Sequence, residues 1–173
     1  DLNQNQKFDE SFSEETVPLD LYDVAAAVLV QLENPAAERE IQLSLEGNPL
    51  YINGVPVIVE EMIYNLCDNA IKYNVQGGSV KITVGQKNQF AMVSVTDTGI
   101  GIAQADRERI FERFYRVDKS HSRQIGGTGL GLSIVKHGAA FHNAKIELDS
   151  QLSKGTTISL LFPLEFKMKS DRN

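Results

Sequence analysis

Apolar and polar positions separate most cleanly in residues 60–74, where a spacing of about 100° per residue predicts one amphipathic helix. The apolar side consists of Met62, Ile63, Leu66, Cys67, Ala70 and Ile71. The polar side is a narrow stripe that consists of Glu61, Asn65, Asp68, Asn69 and Lys72. Asn disfavours helices, and a stripe that only meets water usually holds Glu and Lys. Amide oxygens beside a carboxylate and a lysine suit Mg²⁺ with its phosphate oxygens, and a solvated helix face is the alternative.

Shorter patterns around this helix predict an alternation of helices and strands. Helical spacing predicts a first helix over residues 22–31, which ends before Asn34-Pro35. Alternating apolar and polar residues predict short strands over residues 41–46, 49–54, 80–84, 89–97, 145–149 and 156–162. The third and fourth of these strands should form a hairpin with a turn at residues 85–88.

The second strand of that hairpin ends on a carboxylate. Its apolar face is formed by Ala91, Val93 and Val95. A period of two puts Asp97 on the same inward face, where a carboxylate is costly unless a partner bonds it. The glycines of residues 98–102 allow a sharp turn, so we expect Asp97 at the mouth of a pocket, accepting from a donor such as a purine amine. An Asp that caps its own turn is the alternative.

A second glycine-rich stretch opens a helix later in the chain. Residues 126–131 read Gly-Gly-Thr-Gly-Leu-Gly and run into the apolar helical pattern of residues 132–136. Glycine-rich backbone at a helix start can cradle phosphate, but this stretch matches neither the P-loop nor the dinucleotide-binding pattern. Upstream, residues 106–117 predict a short helix that breaks into a loop, and the small polar residues 118–124 predict a mobile lid.

Composition limits the class of protein. The chain has 173 residues with 42% hydrophobic content, enough for the core of a single domain. With 17 Lys and Arg against 23 Asp and Glu, the net charge of −6 argues against nucleic-acid binding. The longest apolar run, residues 24–30, is far shorter than the roughly 20 residues that span a bilayer. We therefore expect a cytoplasmic domain without membrane contact, and the polar residues 1–17 predict either a linker or the frayed end of an element whose partner is missing.

Four segments together resemble the catalytic and ATP-binding domain of bacterial sensor histidine kinases, a member of the superfamily that includes gyrase and Hsp90. They are an asparagine box at residues 65–73, a first glycine box at 97–101, a phenylalanine box at 111–115 and a second glycine box at 127–132. The resemblance covers residues 18–164, which leaves 165–173 as a polar tail. It implies an α/β fold of the Bergerat type, a two-layer α/β sandwich in which helices cover one face of a mixed sheet, with a flexible ATP lid.

The resemblance also implies a role for individual residues. Asn69 would hold Mg²⁺ with Asn65 beside it, and Lys72 would contact phosphate. Asp97 would accept a hydrogen bond from the adenine amine, and Tyr73 would pack near the adenine or ribose. The remaining residues implied to line ATP are Gly99, Gly101, Ile102, Gly127, Thr128, Gly129, Leu130 and Gly131. The candidate cations for the γ-phosphate are Arg113 and Arg116, with Arg123 of the lid as a further candidate.

The implied reaction is transfer of the γ-phosphoryl group of ATP to a histidine nitrogen. Such transfer depends mostly on positioning and charge neutralisation, so no nucleophile is expected within the domain. The acceptor histidine would lie on a dimerisation domain of the same kinase, and a response regulator receiver domain would be the next partner. The chain's own His121, His137 and His142 lack the context of an acceptor and are expected to be structural or lid residues. The full-length protein would be a candidate membrane-anchored sensor.

Two other classes share the implied fold, namely ATPases of the gyrase or Hsp90 kind and serine kinases of the anti-sigma-factor kind. Those relatives place a Glu one turn before the metal-binding Asn, where it activates water or a serine hydroxyl. This chain has Asn65 there, with Glu61 a further turn back. Asn65 therefore favours the histidine kinase. A nucleotide-sensing module without activity is a third alternative, which the presence of all four boxes disfavours.

Overall fold

The computed structural model describes residues 16–112 and 131–164. In chain order the regular elements are β1 (Val17–Asp20), α1 (Leu21–Gln31), α2 (Glu33–Glu38), β2 (Gln42–Gly47), β3 (Tyr51–Gly54), α3 (Pro56–Lys72), β4 (Ser79–Lys87), β5 (Phe90–Asp97), a 3₁₀ helix (Gln104–Asp106), α4 (Gly131–Phe141), β6 (Lys145–Gln151) and β7 (Gly155–Pro163).

Five of the strands form one mixed sheet in the order β2-β4-β5-β7-β6. The pair β2 and β4 is parallel, and the other neighbours are antiparallel. The strands β1 and β3 form a separate antiparallel ribbon. The predicted hairpin is present as β4 and β5, so the expectation of an α/β fold with a mixed sheet is confirmed.

The core lies between one face of the sheet and the helices α1, α3 and α4. Nine buried apolar side chains form the centre of that face, namely Val80, Ile82, Val84, Ala91, Val93, Val95, Ile158, Leu160 and Phe162. All six residues of the predicted apolar side of α3 are buried against this core. Full burial of one such side chain contributes about 1.5–3 kcal/mol, so the packing of α3 fixes which of its sides faces away from the core.

The other face of the sheet is partly charged. Lys81 of β4 lies 3.7 Å from Glu46 of β2, and Lys87 of β4 lies 3.4 Å from Glu147 of β6. These ion pairs are exposed, so each is worth at most about 1 kcal/mol. Helices on one face of a mixed sheet give the predicted two-layer sandwich.

Several element boundaries differ from the sequence-based expectation. The hairpin turn was wrong by three residues, because Gly85 continues β4 opposite Met92 and Asn88 takes the left-handed backbone with φ of 56°. The helix α3 begins at Pro56 rather than at residue 60, since a proline at the first helical position needs no N–H donor. The short helix α2, with Pro35 in its first turn, was not predicted. The strand β1 was also missed, and it begins at Val17, inside the predicted linker.

Candidate functional site

The Asp97 carboxylate lies at the end of β5 on the inward face, as the alternation predicted. Its Oδ1 accepts hydrogen bonds from the Gly99 amide at 2.8 Å and from the Thr156 amide of β7 at 3.2 Å. Its Oδ2 has no hydrogen-bond partner among the residues that the structure describes. Asp97 therefore caps its own turn with one oxygen, and the described residues leave the other oxygen without a donor.

Burial raises the pKa of the Asp97 carboxyl from its ordinary value of 3.8 to about 6, against the opposing effect of the hydrogen bonds from Gly99 and Thr156. A raised carboxyl pKa means that the charged form lacks the solvation that water would supply. At pH 7 the group is still ionised, so it offers a poorly solvated acceptor. Such an acceptor gains more from a donor on a ligand than an exposed carboxylate would.

The glycines after Asp97 pack the turn against neighbouring backbone. A Cβ atom at Gly99 would lie 2.4 Å from the carbonyl oxygen of Tyr73, and one at Gly101 would lie 2.1 Å from the carbonyl oxygen of Gln151. Gly101 also has a left-handed φ of 75°. The amide of Ile102 donates to Ser150 Oγ at 2.8 Å. These contacts give both glycines a packing role in shaping the turn, in addition to the proposed approach of the base.

The polar stripe of α3 contains two amides, Asn65 and Asn69, whose oxygens accept no hydrogen bond from the residues that the structure describes. Asn65 donates from Nδ2 to the carbonyl oxygen of Glu61 at 2.7 Å, which leaves Oδ1 unused by that bond. The half-buried Asn69 side chain makes no hydrogen bond within the described part of the chain. Lys72 is paired with Asp68 at 2.9 Å instead of being free. Hard oxygen donors on one helix face fit a hydrated Mg²⁺, which needs few protein ligands.

The start of α4 adjoins this stripe. Asn65 Oδ1 lies 2.9 Å from the position that a Cβ atom would take at Gly131, the first residue of α4. A helix start offers unpaired backbone N–H groups to an anion. The structure thus brings one end of the second glycine box to the asparagine box.

The other end of α3 adjoins the first glycine box. The Ile100 amide donates to the Tyr73 carbonyl oxygen at 3.2 Å. The buried Asn74 side chain accepts from the Thr98 hydroxyl at 3.1 Å and donates to the Ser79 carbonyl oxygen at 2.9 Å. The residues predicted for the adenine and those predicted for the metal are therefore joined through the end of one helix.

The His142 side chain, just after α4, has a hydrogen bond at each ring nitrogen. Its Nδ1 bonds the Gly138 carbonyl oxygen at 2.8 Å, and its Nε2 accepts from the Val55 amide at 3.1 Å. Burial lowers the pKa of His142 below its ordinary value of 6.5, opposed by the bond to Gly138. Both ring nitrogens are occupied, which agrees with the expected structural role.

Several predicted residues lie outside the described residues. They are Arg113, Arg116, His121, Arg123, Gly127, Thr128, Gly129 and Leu130, together with the predicted lid at residues 118–124. Their roles stay predictions.

Two polar residues of the site were not singled out from the sequence. Thr156 bonds Asp97 from a strand 59 residues away, and only the pairing of β5 with β7 brings the two together. Asn74 is 4% exposed, and its position before a Gly-Gly pair was a local signal for a buried turn residue.

The mixed sheet, the asparagine-bearing helix and the carboxylate at the end of β5 define a two-layer α/β ATPase domain of the Bergerat class. The chain belongs to the family of histidine kinase-, DNA gyrase B- and HSP90-like ATPases, whose profile matches residues 54–166.

Individual relatives narrow the comparison within this family. The sensor-like histidine kinase SenX3 of Mycolicibacterium smegmatis is 44% identical over 149 residues, which are 84% of this chain and 39% of SenX3. The mycobacterial sensor histidine kinase MprB superposes with a TM-score of 0.76 at 27% identity, covering 86% of this chain and 97% of that structure. The full-length ShkA structure in complex with AMPPNP also gives a TM-score of 0.76 at 27% identity, covering 86% of this chain and 31% of ShkA. The prediction of a histidine-kinase-type domain is confirmed over the gyrase-type and serine-kinase alternatives.

The chain spans well under half the length of SenX3. In residues 16–112 and 131–164, no helix is long and apolar enough to cross a membrane.

Proposed function

We propose that this chain binds ATP with Mg²⁺ and transfers the γ-phosphoryl group to a histidine on the dimerisation domain of the same sensor kinase. The observation that carries the proposal is the half-buried Asp97 carboxylate, which has one oxygen fixed by two backbone amides and the other without a partner in the described ranges. The histidine kinase relatives support the reaction class, and the ATP analogue in the ShkA complex supports the nucleotide.

Asp97, Asn65 and Asn69 contribute to binding through oxygens that the contacts in the described ranges leave available. Asp97 Oδ2 accepts from the adenine amine, while the Gly99 and Thr156 amides hold the carboxylate in orientation. Asn69, with Asn65 beside it, provides amide oxygens for the metal. When bound, Mg²⁺ would neutralise phosphate charge during transfer. Lys72 reaches phosphate by exchanging its contact with Asp68.

The acceptor histidine is proposed to lie outside this chain. His142 has both ring nitrogens engaged, and its lowered pKa reflects burial rather than an activated nucleophile. A response regulator receiver domain is proposed as the next acceptor of the phosphoryl group. The cytoplasmic location, and membrane anchoring of the whole protein, remain predictions, as do the linker at residues 1–17, the catalytic domain at 18–164 and the tail at 165–173.

The test is incubation of this chain with labelled ATP and Mg²⁺, with and without a separately made dimerisation domain of the same kinase. We expect acid-labile, base-stable phosphate on the added domain and little label on this chain. Transfer should be slow, because the covalent tether that raises effective concentration is missing. A variant of the added domain without its acceptor histidine is the control. Fast ATP hydrolysis by this chain alone would favour a gyrase-like ATPase, and acid-stable label on a serine would favour an anti-sigma-type kinase.

A further inference from the structure

Arg39, between α2 and β2, reaches the end of α3. Its Nη1 donates to the Ile71 carbonyl oxygen at 2.7 Å and also to the Lys72 carbonyl oxygen, and its Nη2 donates to the Asn74 carbonyl oxygen at 2.7 Å. The last carbonyls of a helix lack intrahelical donors and carry partial negative charge. One guanidinium therefore binds three carbonyls across the point where α3 ends.

The segment that Arg39 holds is also the link between the two parts of the candidate site. On one side it continues from the α3 turn that carries Asn69 and Lys72. On the other side, the carbonyl oxygen of Tyr73 accepts from the Ile100 amide, and the side chain of Asn74 accepts from the Thr98 hydroxyl. Thr98 is the residue after Asp97. A shift in the end of α3 would therefore move Asn69 relative to the carboxylate of Asp97.

We infer that Arg39 is a positioning residue for the nucleotide site, which sets the end of α3, and with it Asn69, against the turn that holds Asp97. This inference rests on the proposed function for the identity of the ligand. Within residues 16–112 and 131–164, the hydrogen bonds of the Arg39 guanidinium go to backbone carbonyls, so its effect on the site passes through the end of α3. A lysine could not replace it fully, because its ammonium lacks the planar fork that spans three carbonyls.

A purely structural role for Arg39 would predict a different effect of its substitution on nucleotide binding. If the guanidinium only stabilises the fold, then any variant of equal stability should affect nucleotide binding equally. Val28 of α1 is fully buried and belongs to the core, so Val28→Ala, with its loss of stability measured by urea unfolding beside that of Arg39→Ala, is the control for destabilisation. Lys81→Ala on the far face of the sheet removes the same charge and controls for electrostatics.

The experiment measures binding of Mg²⁺ and ATP by calorimetry in wild type, Arg39→Ala, Arg39→Lys and the two controls, each at a temperature where it is folded. We expect Arg39→Ala to weaken binding roughly 10- to 100-fold, by analogy with the loss of a partner that orients a metal ligand. Arg39→Lys should lie between Arg39→Ala and wild type, and it serves as the test if the alanine variant does not fold. The two controls should bind like wild type.

Amide hydrogen exchange without nucleotide provides the second measurement. The Ile100 amide should exchange faster in Arg39→Ala than in Val28→Ala once the measured difference in global stability is taken into account, because its acceptor on Tyr73 would be less well fixed. Binding by Arg39→Ala equal to wild type, or an equal loss in Val28→Ala, would overturn the inference. Absence of ATP binding by the wild type would instead overturn the proposed function, and the exchange of Ile100 would still report on the role of Arg39.

Discussion

Replacing Asp97 with Asn should stabilise the empty domain at neutral pH and weaken ATP binding. Asn keeps an oxygen for the Gly99 and Thr156 amides and removes the charge that burial penalises. With a pKa of about 6 when folded and 3.8 when unfolded, the charged carboxylate costs about 3 kcal/mol at most, at 1.36 kcal/mol per pH unit. The sign follows from proton uptake, since between pH 3.8 and 6 the folded chain holds the proton that the unfolded chain has released.

Urea unfolding at pH 7.5 and at pH 4.5 measures this effect. Above pH 6 the Asn variant should be more stable than wild type by up to about 3 kcal/mol, and the difference should shrink as the pH falls towards 3.8. Calorimetry at pH 7.5 should show ATP binding weaker by about 1 to 3 kcal/mol, because an amide donor would face the adenine amine.

Two further variants separate the effect of the lost charge from the effect of the lost hydrogen-bond acceptor. Asp97→Ala lacks the accepting oxygen and should be less stable than Asp97→Asn by about 1 to 3 kcal/mol. Asp149→Asn, on the exposed edge strand β6, removes the same charge without a burial cost and should change neither stability nor binding. An Asp97→Asn variant that is no more stable than wild type at pH 7.5, or whose advantage does not depend on pH, would refute the reasoning from burial.

Three further comparisons test the site and the residues that support it. Asn69→Ala should reduce the Mg²⁺-dependent part of ATP affinity in calorimetry, whereas the exposed Asn48→Ala should not. Gly77 and Gly101 have similar left-handed φ values of 79° and 75°. In urea unfolding, Gly77→Ala should cost only about 1 to 2 kcal/mol for its conformation, because nothing lies within 4 Å of the new Cβ. Gly101→Ala should cost more, because its Cβ would meet a carbonyl oxygen at 2.1 Å. Burial lowers the pKa of His142 in the folded chain below its ordinary value of 6.5. As the pH falls, the imidazole is therefore protonated in the unfolded chain before it is protonated in the folded chain. Wild type should therefore lose stability relative to His142→Gln as the pH falls below 6.5, and a pH-independent difference would contradict that reasoning.

Local patterns in the sequence predicted the elements that bury an apolar face on their own. The spacing in α3 and the alternation in β5 gave the correct inward faces, including the position of Asp97, because each pattern has the period of its element. The strand β1 has only four residues and includes Pro18. It exists because Val17 pairs with Gly54, a contact that no local pattern contains. The helix α2 was missed because Pro35 was taken as a break, although a proline is tolerated in a first turn.

The residues of the candidate site also divide into those that the sequence indicated and those that only the fold reveals. Residues whose type is unusual for their position, such as Asn69 on a helix face, could be found from the sequence. Arg39 could not, because it stands in a charged stretch that reads as solvated surface and its partners lie 32 to 35 residues away. Thr156 was missed for a related reason, since its contribution to Asp97 comes from its backbone amide, which any residue at that position supplies.

Burial of Asp97 has two opposite consequences that together explain its place in the fold. In the empty domain, burial of the charged Asp97 carboxylate, one oxygen of which has no donor among the described residues, lowers stability, which a fold optimised only for stability would avoid. In the same surroundings, a ligand that donates a hydrogen bond to this oxygen would gain more than in water, because the hydrogen bond forms where the local dielectric constant is low. The two amides from Gly99 and Thr156 lower the pKa of the carboxyl, which favours its ionised form, and fix its direction. The free energy that the domain loses by burying this poorly solvated carboxylate would therefore be recovered when an adenine amine binds it. The stability of the domain should then depend on the presence of nucleotide.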